Sequence, residues 1–231
     1  MNFNEDVTKL LRENSCNIVG FADLRCTSKE ARQNFDRGIL IALSYTKEAM
    51  QENKNGLPQR YHRELRLMNT RLRELTILTA DFLVERGYKA LAKTQPAVVP
   101  DEEHRTVLPH KTVATLAGIG WIGKCATLVT DEVGSALRIS VVLTNAPFDC
   151  GTPITKSKCD PNCGVCVGVC PGKAPHGGLW AAGIDRDVFF NANDCNIAAR
   201  SRAKALLNVE EATCGLCISN CPFTKRALDY E

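Results

Sequence analysis

The last third of this chain carries a ladder of eight cysteines whose spacing limits what that third can fold around: Cys159, Cys163, Cys166, Cys170-Pro171, then Cys195, then Cys214, Cys217 and Cys221-Pro222. A [4Fe-4S] cluster takes four thiolates, and in two-cluster ferredoxins the last cysteine of a Cys-Pro run crosses to the other cluster. Eight thiols therefore predict two clusters. On the crossed pattern Cys159, Cys163, Cys166 and Cys221 hold the first, and Cys170, Cys195, Cys214 and Cys217 the second. The second run has only three closely spaced members, so the remote Cys195 is expected to complete it, carried by a helical stretch over 198–207. The gap Asp160-Pro161-Asn162 holds one residue more than the usual run. A proline after the final cysteine is expected to stop a helix and turn the chain away.

Two other uses of cysteine compete. Disulfides need an oxidising compartment, and the N-terminus Met1-Asn2-Phe3-Asn4-Glu5-Asp6 has neither a basic start nor an apolar stretch, so a cytoplasmic location is expected. Zinc sites accept paired cysteines but do not call for Cys-Pro endings. Cys16, Cys26, Cys125 and Cys150 are expected to be ordinary thiols, with Cys150 as the one spare ligand.

Hydrophobic residues make up 44% of the 231 positions, enough for a core, and no apolar run reaches the roughly 18 residues of a membrane span. A net charge of +3 is too mild for a dedicated nucleic-acid binder. Composition changes near Pro147, which predicts a domain of 1–149 followed by a cysteine-rich domain of 150–231. In the first part, helices are expected at Asn4–Glu13, with Asn4 as cap, at Tyr61–Arg86, ended by Gly87, and at His110–Ala117. The long helix shows an apolar stripe through Leu65, Met68, Leu72, Leu75, Thr79 and Phe82. Strands are expected at Asn17–Ala22, Gly38–Tyr45, Tyr88–Lys93, Thr127–Thr130 and Ala136–Leu143. The fold class is α+β, with α/β layering.

Two segments invite a cofactor. Gly118-Ile119-Gly120-Trp121-Ile122-Gly123-Lys124 has the form G-x-x-x-x-G-K, yet Cys125 stands where a P-loop needs Ser or Thr, and a helix is expected before it where a P-loop needs a strand. Three glycines close together bring the backbone near something, either its own chain around a buried Trp121 or a large flat cofactor. Gly118, Gly120, Trp121, Gly123 and Lys124 are the candidate cofactor residues. Arg60, Arg63, Arg66, Arg71 and Arg73 form a basic cluster, read as a solvated face balanced by Glu64 and Glu74 or as a phosphate-binding surface.

The stretch Lys111-x-x-Ala114-x-x-Ala117-Gly118-Ile119-Gly120-Trp121-Ile122-Gly123-Lys124, followed by Leu143-Thr144 and the cysteine ladder, resembles the epoxyqueuosine reductase family, and among its members the short double-cluster relatives. That resemblance implies a nitroreductase-like N-terminal domain binding cobalamin and a ferredoxin-like module supplying electrons at potentials that clusters reach, down to about −700 mV. In the family the substrate is an epoxide on a modified tRNA base, and an acidic proton donor precedes the Ala-Gly segment. Here the corresponding positions are His104 and His110, so Asp101, Glu102, Glu103 and His104 are the candidates for a replacement acid. The sequence stops ten residues after Cys221, short of the helical-repeat region that engages RNA in the family. The expected substrate is therefore a small molecule or modified nucleoside, with tRNA a second choice and an external low-potential electron donor as partner. A non-catalytic electron-transfer protein serving a separate corrinoid or flavin partner is the alternative, and an FMN enzyme a third.

Overall fold

The computed structural model describes residues 3–93 and 100–231. In chain order its elements are α1 (Phe3–Glu13), β1 (Ile18–Asp23), β2 (Arg37–Ser44), α2 (Lys47–Lys54), α3 (Gln59–Val84), β3 (Ala90–Lys93), α4 (His110–Leu116), β4 (Trp121–Ile122), β5 (Leu128–Val129) and β6 (Leu137–Thr144). There follow α5 (Val165–Val169), a short 3-10 turn at Arg186–Val188, α6 (Ala192–Leu207), α7 (Leu216–Ser219) and α8 (Pro222–Ala227). No described helix is long and apolar enough to cross a membrane.

The chain divides into two compact units that alternate along the sequence. Met1–Leu43, Leu67–Ile119 and Arg138–Ile154 form a sheet unit, and Ser44–Arg66, Gly120–Leu137 and Thr155–Glu231 a cysteine unit. Residue 149, the expected boundary, lies in the last segment of the sheet unit. The whole ladder lies in the cysteine unit, which takes in two upstream stretches as well.

In the sheet unit the strand order is β1-β2-β6-β3, with β1 and β2 antiparallel (Ile18 opposite Ala42) and β3 and β6 antiparallel (Ala90 opposite Thr144). The run Gly38–Leu43 is buried at every position, as a strand covered on both faces requires. α1 covers the sheet with Val7 and Leu11, both fully buried. Asn4 lies inside α1 and does not cap it. Its side chain exchanges two hydrogen bonds with the Asp149 backbone, donating from Nδ2 to the carbonyl at 2.8 Å and accepting from the amide at 3.1 Å, which replaces the capping role. Phe148, stacked on Phe21 at 4.6 Å and on Phe3 at 5.0 Å, fastens the same segment.

α3 keeps the middle of the expected stripe, with Leu65 and Phe82 at its ends only half-buried. Met68, Leu72, Leu75 and Thr79 are buried, and the Thr79 hydroxyl donates back to the Leu75 carbonyl at 2.7 Å, so a polar group sits in the core satisfied. α2 has no apolar periodicity and was not expected from the sequence. It starts because the Thr46 hydroxyl accepts from the Ala49 amide at 3.2 Å while donating to Glu64 at 2.6 Å.

Candidate functional site

Each part of the ladder hangs on a short element of the cysteine unit. Cys166 lies on α5, whose C-cap is Cys170; Pro171 follows, and the helix stops there as expected. Cys217 lies on α7, and Cys221 caps α8. Pro222 does not stop a helix here. It begins α8, at a position where its missing N–H costs nothing and its fixed φ suits the first turn. Cys195 lies in the first turn of α6, which begins at Ala192, ahead of the expected 198, because Asn191 accepts from the Asp194 amide at 3.0 Å and caps it.

The four-residue step from Cys159 to Cys163 closes as a local turn. Asp160 accepts from the Asn162 amide at 2.8 Å through its carboxylate and from the Cys163 amide at 3.1 Å through its carbonyl. Two carbonyls of this loop are left to Lys124. Its side chain is buried, and Nζ donates to the carbonyls of Pro161 at 2.8 Å and Cys163 at 2.9 Å. α7 is held from the other side by α2, where buried Asn53 donates to the Ser219 hydroxyl at 3.1 Å. Tyr61, stacked on Tyr45 at 4.8 Å, packs so closely on Gly215 that a Cβ there would lie 2.4 Å from the ring.

The mutual influence of the thiols sorts them. Cys166 is pushed up by its bond to Cys125, then by burial, and then by the charges of Cys125, Cys159 and Cys163. Cys221 is raised chiefly by burial and also feels Cys159. Cys217 is raised by its bond to Cys125, by burial, and by Cys125, Cys195 and Cys214. Cys214 is raised by burial and by Cys170, against a lowering by the Arg202 guanidinium. Cys166 thus feels Cys159 and Cys163 of its own run and Cys221 feels Cys159, whereas Cys217 feels Cys195 and Cys214, and Cys214 feels Cys170. The buried Nε and Nη2 of Arg202 have no acceptor among the described residues. Among those residues no three His, Cys, Asp or Glu side chains close on a single ion. A cubane asks for a different geometry, one thiolate at each of four separate irons, and its sulfides accept hydrogen bonds of the kind Arg202 has to give.

Sequence reasoning overlooked Cys125. It was set among the ordinary thiols; it is buried, lies 3.1 Å from the Thr127 hydroxyl, and is held well below its ordinary range first by the neighbouring Cys166 and Cys217. The available signal was its place: it directly follows Gly123-Lys124, where the chain turns between β4 and β5.

The glycine-rich segment is occupied by the protein itself. In the sheet unit Gly118 has φ +72, and a Cβ there would sit 2.5 Å from the Thr152 carbonyl oxygen. In the cysteine unit a Cβ at Gly120 would sit 2.2 Å from the Val129 carbonyl oxygen, and one at Gly123 would meet the Val129 side chain at 2.9 Å with the Cys159 sulfur 3.7 Å away. Trp121 is fully buried, edge-on to Phe223 at 5.0 Å, with Lys158 over its ring. Exchanging Lys124 for methionine is expected to cost about 1–3 kcal/mol, because two part-buried carbonyls lose a charged donor. Denaturant unfolding of the K124M protein checks this; unchanged stability would point to a role for Lys124 toward a ligand instead.

Asp101, Glu102, Glu103 and His104 are exposed. The Asp101 carboxylate accepts from the amides of Glu103 at 3.0 Å and Arg105 at 2.7 Å, and Glu103 pairs with the Arg105 guanidinium at 3.1 Å. His110 is half-buried and held below its ordinary range, first by desolvation and further by Lys93 and Arg138, against the opposing hydrogen bond to Ile139. In the basic cluster Arg60 pairs with Glu52 at 2.9 Å, and Arg71 with Glu74 at 2.8 Å; Glu64 is turned to Thr46.

These features define an α/β protein whose second unit carries the eight ladder cysteines. No family model matches the chain. It is similar to epoxyqueuosine reductases: to that of Listeria monocytogenes, 35% identical over 108 residues (45% of this chain, 25% of the relative), and to that of Bacillus subtilis, 30% identical over 162 residues (67% and 37%). The protein of Synechococcus sp. is 27% identical over 168 residues (73% and 47%). The chain thus matches between a quarter and just under half the length of these relatives. Among solved structures, the B. subtilis epoxyqueuosine reductase aligns with a TM-score of 0.61 at 18% identity, over 96% of this chain and 65% of that structure. A reductive dehalogenase described for B12-dependent dehalogenation aligns with a TM-score of 0.64 at 16% identity, covering 95% of this chain and 32% of that one. The chain is epoxyqueuosine reductase-like, and its fold is shared with reductive dehalogenases.

Proposed function

We propose that this protein is an iron–sulfur reductase in which two [4Fe-4S] clusters pass low-potential electrons to a cobalamin for reduction of a small molecule or modified nucleoside. The observations that carry the reading are the gathering of all eight ladder thiols in one compact unit and the unpartnered, buried donors of Arg202, whose guanidinium acts on Cys214. Cys159, Cys163, Cys166 and Cys221 would hold one cluster, and Cys170, Cys195, Cys214 and Cys217 the other. Bound there, the clusters supply one-electron steps at low potential.

Cobalamin is supported by likeness of fold to a structure described for B12-dependent dehalogenation. The segment Gly118–Lys124 does not fit as its cradle, since Gly118 and Gly120 face the protein's own backbone, Gly123 faces the Val129 side chain, and Lys124 is bonded to the loop of Cys159–Cys163. An epoxyqueuosine reductase has been solved with an epoxyqueuosine-modified tRNA stem loop, which makes a modified nucleoside the first substrate class to try.

Anaerobic reconstitution should give about eight iron and eight sulfide per chain, the content of two cubanes. Titrating the reconstituted, reduced protein with hydroxocobalamin should then shift the corrinoid spectrum and saturate at one equivalent. Clusters without a corrinoid shift would leave an electron-transfer protein that serves a separate acceptor, and zinc in place of iron would overturn the reading.

A further inference from the structure

One edge of the Arg202 guanidinium is buried with nothing in the protein to bond to. Its Nε and Nη2 are shielded from solvent and have no acceptor among the described residues. These two atoms are the adjacent pair of the fork, whose N–H bonds point the same way, so both donors are aimed at one neighbourhood. Leaving buried donors unsatisfied is costly, and more so on a charged group, so the pair marks the place of an acceptor.

The helix that carries Arg202 locates that acceptor. In α6, Cys195 lies in the first turn, and Ala199 and Arg202 follow at spacings of four and three, which sets all three on one face. Ala199 and Ala203 are buried, so this face is turned into the cysteine unit. Arg202 stands about 10 Å further along the axis than Cys195, and helical side chains lean toward the N-terminus, so its guanidinium reaches back toward the Cys195 end. At that end the helix lies against the close of the first run. A Cβ on Gly172, two residues after Cys170, would be 2.6 Å from the Asp194 carbonyl oxygen and 2.8 Å from the Ala198 Cβ. Cys214 is also near enough to feel the Arg202 charge. The exposed cations of the helix are engaged elsewhere, Arg200 with the Glu210 carbonyl at 2.6 Å and Lys204 with the Glu210 carboxylate at 2.6 Å. At the first run the buried cation Lys124 gives its Nζ to the carbonyls of Pro161 and Cys163.

We propose that the Nε–Nη2 edge of Arg202 donates to sulfur of the cluster held by Cys170, Cys195, Cys214 and Cys217 and raises its reduction potential above that of the other cluster. The first electron from the external donor then comes to rest there. No proton moves, because a guanidinium is not deprotonated in proteins. Reduction adds one negative charge to the cluster, and a fixed cation with two donors at its sulfurs favours the more negative state.

This inference rests on the two-cluster reading, and the experiment keeps the two apart. Wild-type protein, with and without isotopically labelled arginine nitrogen, and the variants Arg202→Lys and Arg202→Met are reconstituted anaerobically and assayed for iron and sulfide. Each is titrated against a viologen series and, once reduced, studied by pulsed EPR. The labelled wild type should show an arginine-nitrogen coupling at the reduced cluster of higher midpoint potential. Arg202→Met should keep its iron and sulfide, lose that coupling, and move the higher midpoint negative while the lower stays. Arg202→Lys, which restores the charge without the fork, should also lose the coupling and recover part of the shift. No arginine coupling in the wild type overturns the inference whatever the variants do, and means that water satisfies the donors. A shift of both midpoints together, of the lower one, or of neither overturns it too. Should the methionine variant fail to hold iron, the labelled wild type and the lysine variant decide by the same criteria. Wild-type protein that takes up a single cluster or none refutes the two-cluster reading itself.

Discussion

Replacing Cys221 by alanine is expected to abolish the cluster whose other three ligands lie in the earlier run, more than fifty residues upstream, so that iron falls from about eight to about four per chain. The grounds are that Cys221 feels Cys159, whereas Cys214, its neighbour in the run, feels Cys170. Double variants make the pairing explicit. Cys221→Ala with Cys159→Ala removes two ligands of one cluster and should still leave about four iron, while Cys221→Ala with Cys214→Ala removes one ligand from each and should leave almost none. Uncrossed runs would reverse these two results. Iron and sulfide analysis after anaerobic reconstitution decides between them, and circular dichroism in the far ultraviolet checks that each variant has folded.

The parts of this architecture that could be read from the sequence are those in which one residue type has one physical use. Six consecutive apolar positions in β2 and the three-and-four spacing of Met68, Leu72, Leu75 and Thr79 admit little besides a doubly covered strand and a core-facing helix. The cysteine ladder is similar, since so many thiols at that spacing have few destinations. α2 was hidden because only Ala49 and Met50 of its eight residues are apolar, too few to show a period, and what fixes it is tertiary: Thr46 held by Glu64 at one end and Asn53 buried against Ser219 at the other.

Glycine and cysteine were harder because each has several uses. A close approach to backbone is all that Gly118, Gly120 and Gly123 reveal in sequence, and an approach to the Thr152 or Val129 carbonyl has the same signature as an approach to a cofactor. The lysine after them carried the same ambiguity, resolved by two carbonyls more than thirty residues ahead. Cys125 sits alone in its stretch of sequence. Its neighbours Cys166 and Cys217 come from segments forty and ninety residues away, so no local pattern marks it.

Trp121→Ala is expected to be among the most damaging single changes outside the ladder. The indole is fully buried between β5 and α8, with its edge against Phe223 and Lys158 over its face, and it stands three residues before the lysine that closes the Cys159–Cys163 loop. Emptying a site of this size typically costs about 3–5 kcal/mol, which for a chain of this length corresponds to a fall in Tm of roughly 6–20 °C. The strands flanking the cavity are only two residues long, so little regular structure is available to collapse into it. Trp121→Phe should recover most of the loss. The indole nitrogen has no hydrogen-bond partner among the described residues, so a phenyl ring gives up packing volume alone. Thermal and urea unfolding of the two variants measures both effects. Were Trp121 instead a surface for a cofactor, the alanine variant would keep its melting temperature and lose ligand binding; a core anchor loses stability first, and its clusters as a consequence.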